Sequence, residues 1–228
     1  MRISSSFASG RFLPQPVSWL EDEVEDRLKT LILRLTMFDV LIVPGLDGSG
    51  ERHWQSLWKN FLIHKGISVY TVKQADWTSP DLGTWRKTLV SSVQRCTRPV
   101  LVVAHSLGAL LTVHCAELNV AGALLVAPAD AEEARASDRM RVRDFAPLPQ
   151  DAVRFPSVLV TSDNDEWLSP ARARFMADCW GAELFPAGRV GHIGNRENLG
   201  IWREGFGALE KLLDRIDNER LPPETHEV

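Results

Sequence analysis

The chain has 228 residues, of which 44% are apolar and 25% charged, with a formal net charge of -4. That length can bury one sizeable core, and that balance excludes disordered, collagen-like and membrane classes. No clustered run of Lys and Arg is present, which argues against a nucleic-acid partner.

Residues 1–17 are rich in Ser, Pro and Gly and are expected to be poorly ordered. Leu20, Val24, Leu28, Leu31, Ile32 and Leu35 then recur at helical spacing, so an amphipathic helix is expected over 18–35. Met37 stands directly before the first apolar run and is a candidate start of the native chain. Residues 1–36 are therefore read as an extension, 37–217 as the folded domain and 218–228 as a loose tail. The N-terminus lacks the apolar core of a secretory signal, and no stretch reaches the ~20 apolar residues needed to span a bilayer. Cys96, Cys115 and Cys179 are widely spaced and form no CxxC pair. Reduced thiols and a cytoplasmic location are expected.

From Phe38 onward, strand and helix patterns alternate. Strands are expected at 38–43, 68–72, 100–104, 123–127 and 157–161, with a marginal one at 183–185. Helices are expected at 82–94, 107–118, 170–180 and 197–216. Apolar strands separated by helices make a mainly parallel sheet covered on both faces, a three-layer α/β sandwich. Its ligands bind beyond the carboxyl ends of the strands. The segment 128–155 has no clear strand and is a candidate lip over that edge.

The first strand ends in Pro44-Gly45-Leu46-Asp47-Gly48-Ser49-Gly50. This loop lacks the endings of a P-loop and does not fit G-x-G-x-x-G. It is better read as a donor of backbone N–H, from Leu46, to an oxyanion. Asp47, at its mouth, is a candidate substrate contact.

The strand at 100–104 runs into Ala104-His105-Ser106-Leu107-Gly108 and then an apolar helix. This is a nucleophile elbow with alanine in the place of its first glycine. The strained turn projects the serine hydroxyl, small neighbours allow close packing, and the helix N-terminus offers the Leu107 N–H to an oxyanion. A serine N-cap on a βα turn shares part of the pattern. His105 points elsewhere at such a turn and is not expected to be the base.

Elbow chemistry needs an acid and then a histidine, each after a later strand. The loop after 157–161 holds Asp163, Asp165 and Glu166, all suitably placed; Asp165 is favoured, with Asp163 second. Of six histidines, only His192 follows that loop and precedes the last helix. The flanking Gly191 and Gly194 let its backbone approach the strand ends. The expected catalytic set is Ser106, Asp165 and His192. Trp54, Trp77 and Trp167 fall near the same edge and are candidate walls of an acyl pocket.

With Pro44-Gly45, Gly48-Ser49-Gly50, His53-Trp54-Gln55, Gln74-Ala75-Asp76-Trp77, the elbow, Gly122-Ala123-Leu124-Leu125-Val126-Ala127-Pro128, Phe145-Ala146-Pro147 and Gly191-His192-Ile193, the chain resembles the YdeN-like and retinoblastoma-binding-protein-9-like small serine hydrolases. The resemblance runs from Phe38 to the last helix. It implies an α/β-hydrolase fold without a large lid domain, supports Asp165 over Asp163, implies no cofactor or metal, and implies esterase activity on small acyl substrates. Acyl transfer, thioester or peptide cleavage by the same triad, or a non-catalytic interaction protein on this scaffold, are the alternatives. The L-x-C-x-E retinoblastoma-binding motif is absent, and Val113-His114-Cys115-Ala116-Glu117 is its nearest echo. The oligomeric state is open, with a monomer compatible.

Overall fold

The computed structural model describes residues 18–220, with side chains from 25 to 219. The expectations for residues 1–17, for the side chains of Leu20 and Val24, and for the tail beyond Arg220 lie outside that range. In chain order the elements are α1 (Ser18–Leu35), β1 (Asp39–Val43), α2 (Trp54–His64), β2 (Ser68–Thr71), α3 (Leu82–Gln94), β3 (Val100–His105), α4 (Leu107–Val113) and β4 (Gly122–Val126). They continue with α5 (Ala136–Val142), a 3-10 turn at Arg143–Phe145, β5 (Ser157–Thr161), α6 (Pro170–Trp180), β6 (Glu183–Pro186) and α7 (Glu204–Arg220).

The six strands form one sheet in the order β2-β1-β3-β4-β5-β6, and every pairing is parallel. β1, β3, β4 and β5 are buried along their whole length. Alternation divides their side chains between two cores. Val102, Ala104, Leu125 and Leu159 face α3, α4 and α6. Leu101, Val103, Leu124, Val126, Val158 and Val160 face α1, α2 and α7. The result is the helix–sheet–helix sandwich of the α/β-hydrolase fold. β1 and β3 are neighbours, yet β2 leaves on one side of β1 while β3 to β6 build out on the other. Loops after β1 and β3 therefore diverge over a crevice at the carboxyl edge.

Several boundaries differ from expectation. α2 was not anticipated. Trp54, Trp58 and Leu62 do recur at helical spacing, but its N-cap is His53, whose ring accepts from the Gln55 N–H; histidine is not a usual start signal. α4 ends at Val113 and gives way to turns, short of the expected Leu118. α7 begins at Glu204 rather than Glu197, because Asn198, Gly200 and Trp202 hold φ values of 49°, 60° and 39°. Such left-handed backbone interrupts a helix. At its other end α7 continues past the expected Ile216 to Arg220, so its last turn takes residues assigned to the tail. α5 and the 3-10 turn give the 128–155 segment helical structure.

α1 buries Leu31 and Leu35 in the second core. Arg27 pairs with Glu210 of α7 at 2.7 Å, and Arg34 reaches Asp214 and Asp217 at 2.7 and 2.8 Å. Among the described residues, no helix is long and apolar enough to cross a membrane.

Candidate active site

The β3–α4 junction holds Ser106 at φ 54° and ψ -124°. A non-glycine residue there carries strain of about 1–3 kcal/mol and persists only where its surroundings enforce it. The Ser106 N–H donates to Val126 O of the neighbouring strand at 2.9 Å, and Leu107 opens α4 directly after it. The loop after β1 is pressed against this turn. A Cβ at Gly45 would lie 2.8 Å from Ser106 Cβ, and one at Gly108 would overlap the carbonyl oxygens of Val43 and Pro44. Gly108 is thus required small by the end of β1. Gly45 stands beside the Leu107 N–H, its would-be Cβ 3.1 Å from that nitrogen, so the adjoining Leu46 peptide lies near the elbow.

Gln55 of α2 locks this crevice. Its side-chain NH2 donates to Val43 O at 3.3 Å and Val103 O at 3.1 Å, joining the ends of β1 and β3. Its Oε1 accepts from Ser49 Oγ at 2.6 Å, fixing the glycine-rich loop. It is fully buried.

The loop after β6 brings His192 to the same edge. His192 Nε2 lies 2.7 Å from Ser106 Oγ. Its Nδ1 lies 2.8 and 3.0 Å from the two Asp165 oxygens. With the carboxylate accepting at Nδ1–H, Nε2 is left to accept from the serine hydroxyl. Asp165 Oδ1 also accepts the Trp167 N–H at 2.8 Å, and the Asp165 side chain is wholly shielded from solvent. The alternative acids lie elsewhere. Asp163 is exposed and is tied through its N–H to Gly188 O. Glu166 pairs outward with Arg135 and Arg196.

The three tryptophans separate. Trp167 keeps its ring 5.8 Å from His192, and Trp77 packs on Gly48 and Trp85. Both are partly buried against the first core, as is Leu46. Trp54 does not wall a pocket. It is 1% exposed, edge-on to Trp58 and Trp202, because its helical stripe faces the sheet. Asp47 is engaged by Arg141 of α5, which also donates to Thr78 O at 2.9 Å. Arg135, just before α5, pairs with Glu166 beside Asp165. The lip is thereby fastened to the loop after β1 at one end and the loop after β5 at the other. Between β1 and β5 lie β3 and β4, and Ser106 follows β3.

Some supporting residues carried no recognised sequence signal. Glu197 accepts from the His192 and Gly194 N–H groups at 3.2 and 2.7 Å, where a helix start was expected. Asn164 and Ser162 accept from the Gly191 and Val190 N–H groups at 2.9 and 3.0 Å. Beneath the site, burial lowers the His53 pKa to about 4, with help from the charge on His192. Burial likewise holds His105 well below its ordinary value, with smaller contributions from His53 and His192.

Solved structures share this architecture. A YdeN-like hydrolase from Pectobacterium atrosepticum is 29% identical, with a TM-score of 0.69 over 86% of this chain and 98% of that one. The ydeN gene product of B. subtilis is 19% identical, with a TM-score of 0.65 over 78% and 99%. Est1E from Butyrivibrio proteoclasticus, solved with ferulic acid bound, is 15% identical, with a TM-score of 0.58 over 79% and 90%. No curated protein sequence matches the chain. The model of the serine hydrolase family matches residues 40–211, most of the chain, and the chain belongs to that family.

Proposed function

We propose that the chain is an esterase acting on small acyl substrates through Ser106, His192 and Asp165. The observation that carries this is the continuous hydrogen-bond path from Asp165 through His192 to a serine on a strained elbow. Ser106 Oγ attacks the acyl carbonyl carbon as His192 Nε2 takes its proton. The carbonyl oxygen becomes an oxyanion facing the Leu107 and Leu46 N–H groups. Removing one such donor costs roughly 2.7–4 kcal/mol of barrier lowering in comparable sites. The tetrahedral intermediate collapses, the C–O bond to the alcohol breaks, and His192 returns the proton to the leaving oxygen. Water, deprotonated by His192, then attacks the acyl-enzyme and frees Ser106. Asp165 orients the imidazole and stabilises its cation throughout. Trp77, Trp167 and Leu46 line the acyl side, and the α5 lip bounds it.

A fluorophosphonate probe is expected to label the wild type and not Ser106→Ala. Labelling that survives the substitution overturns the assignment. Turnover of p-nitrophenyl esters of rising chain length then separates a small acyl pocket, which favours the shortest, from an open one.

A further inference from the structure

The segment carrying the base is held at nearly every backbone polar group. Ser162, Asn164 and Glu197 take the N–H groups of Val190, Gly191, His192 and Gly194. Two consecutive carbonyls of the segment, those of His192 and Ile193, are held as well. His105 Nε2 lies 2.9 Å from His192 O. Trp54 Nε1 donates to Ile193 O at 2.7 Å. Ile193 between them is fully buried at φ 54°. A β-branched side chain in that region is a genuine outlier and needs its surroundings to hold it.

His105 is the last residue of β3, in register with Val126 in the middle of the sheet, and directly precedes Ser106. It is buried, with its ring 5.2 Å from that of His192, 4.9 Å from His53 and 6.1 Å from Trp54. To serve a carbonyl, Nε2 must carry the proton. His53 has the same tautomer, since its Nδ1 accepts from the Gln55 N–H. Two neutral rings therefore lie below the imidazole that turns cationic during turnover, and neither opposes that charge. The proposed chemistry does not use either of them.

We propose that His105 is a positioning residue: its Nε2–H pins the His192 carbonyl to the strand that carries Ser106, so nucleophile and base share one rigid reference. Trp54, at the start of α2, pins the next carbonyl, that of Ile193, to that helix. The inference rests on the triad reading above. Misplacing a reacting group by about 1 Å can cost on the order of 100-fold in rate. The loss belongs in kcat, because neither side chain reaches substrate.

The test compares His105→Gln, His105→Asn and His105→Leu on p-nitrophenyl acetate, with thermal melts in parallel. Gln carries its side-chain nitrogen the same number of bonds from Cα as His Nε2, Asn one bond short, and Leu none. Gln is expected to keep kcat within about threefold of wild type, while Asn and Leu lose about 10- to 100-fold with KM within about twofold. If Leu does not fold, the Gln–Asn pair decides. Equal kcat for Gln and Asn overturns the proposal, as does a folded Leu variant with wild-type kcat. Trp54→Phe keeps the aromatic packing and removes the N–H; a kcat drop at constant KM is expected, and unchanged kcat overturns the second half. Failure of the triad itself is separable, because the fluorophosphonate probe would then miss the wild type or still label Ser106→Ala.

Discussion

The base loop reaches Ser106 directly, whereas the α5 segment is tied to the loops after β1 and β5, and the two are held by different polar fasteners. Around His192 the fasteners are hydrogen bonds with Ser162, Asn164, Glu197, His105 and Trp54, buried at Trp54, part-buried at Ser162, Glu197 and His105, and exposed at Asn164. Around α5 the polar fasteners are ion pairs at the surface, added to the core packing of Val142. Arg135 and Glu166 are 44% and 39% exposed, and Arg141 and Asp47 are 30% and 56% exposed. Leaving a buried hydrogen-bonding group without its partner costs about 1–3 kcal/mol. An exposed ion pair contributes about 0–1 kcal/mol and weakens with salt. Under the proposed mechanism, the imidazole is thus held more firmly than the ion pairs that fasten α5. The segment is firmer where Val142 and Phe145 are fully buried in the first core and at its root, where buried Asp130 meets Arg172 of α6 at 2.5 Å.

The largest break expected in the base loop comes at its acid. Asp165→Asn keeps the shape but offers His192 Nδ1 an amide, favouring the wrong tautomer. By analogy with serine proteases, kcat on a short p-nitrophenyl ester should fall about 10⁴-fold with little change in melting temperature. A drop of less than tenfold would remove Asp165 from the mechanism and return Asp163 and Glu166 to consideration.

Acid should loosen the base loop's support before it affects the lip. His53 has a folded pKa of about 4 against 6.5 ordinarily, chiefly through burial and secondarily through the charge on His192. Between those values the unfolded chain binds a proton that the folded chain refuses. This contribution is complete above pH 6.5, falls as pH drops through the window and levels off below about 4. Its size is about 3 kcal/mol, and His105 acts in the same direction. Urea denaturation across that range reads the slope, and His53→Asn should flatten it. A slope unchanged by the substitution would assign the acid sensitivity elsewhere.

The smallest effect belongs to the lip. Arg141→Gln frees Asp47 and Thr78 and should cost about 1 kcal/mol or less in stability. The relative turnover of longer over shorter esters should rise a few-fold, and added salt should move the wild type the same way. If the chain-length profile ignores both, the lip does not bound the substrate.

Much of the site was legible because its signals are local. Ala104 to Gly108 sits between an apolar strand and an apolar helix, and His192 is the one histidine between the acid loop and the last helix. Trp54 misled because proximity to an edge loop does not say which way a side chain faces. Once His53 caps α2, the Trp54–Trp58 stripe turns inward and the indole N–H supports the base loop instead of meeting substrate. Glu197 fits helical periodicity as well as a loop. Its use by the His192 and Gly194 N–H groups follows from the left-handed residues after it, which stop the helix from forming there.

By itself, the sequence determined the layered α/β architecture and the chain order of serine, acid and histidine. Periodicity and apolar runs act between near neighbours, and those interactions select strand or helix. Tertiary structure alone decided that Asp47 turns to an arginine ninety-four residues away and that His105 holds the His192 carbonyl, while it brought Asp165, the favoured of three acids, to His192. Those outcomes depend on the side-chain directions of segments joined only through the sheet. A hydrogen bond between them needs sub-ångström placement that no spacing along the chain encodes.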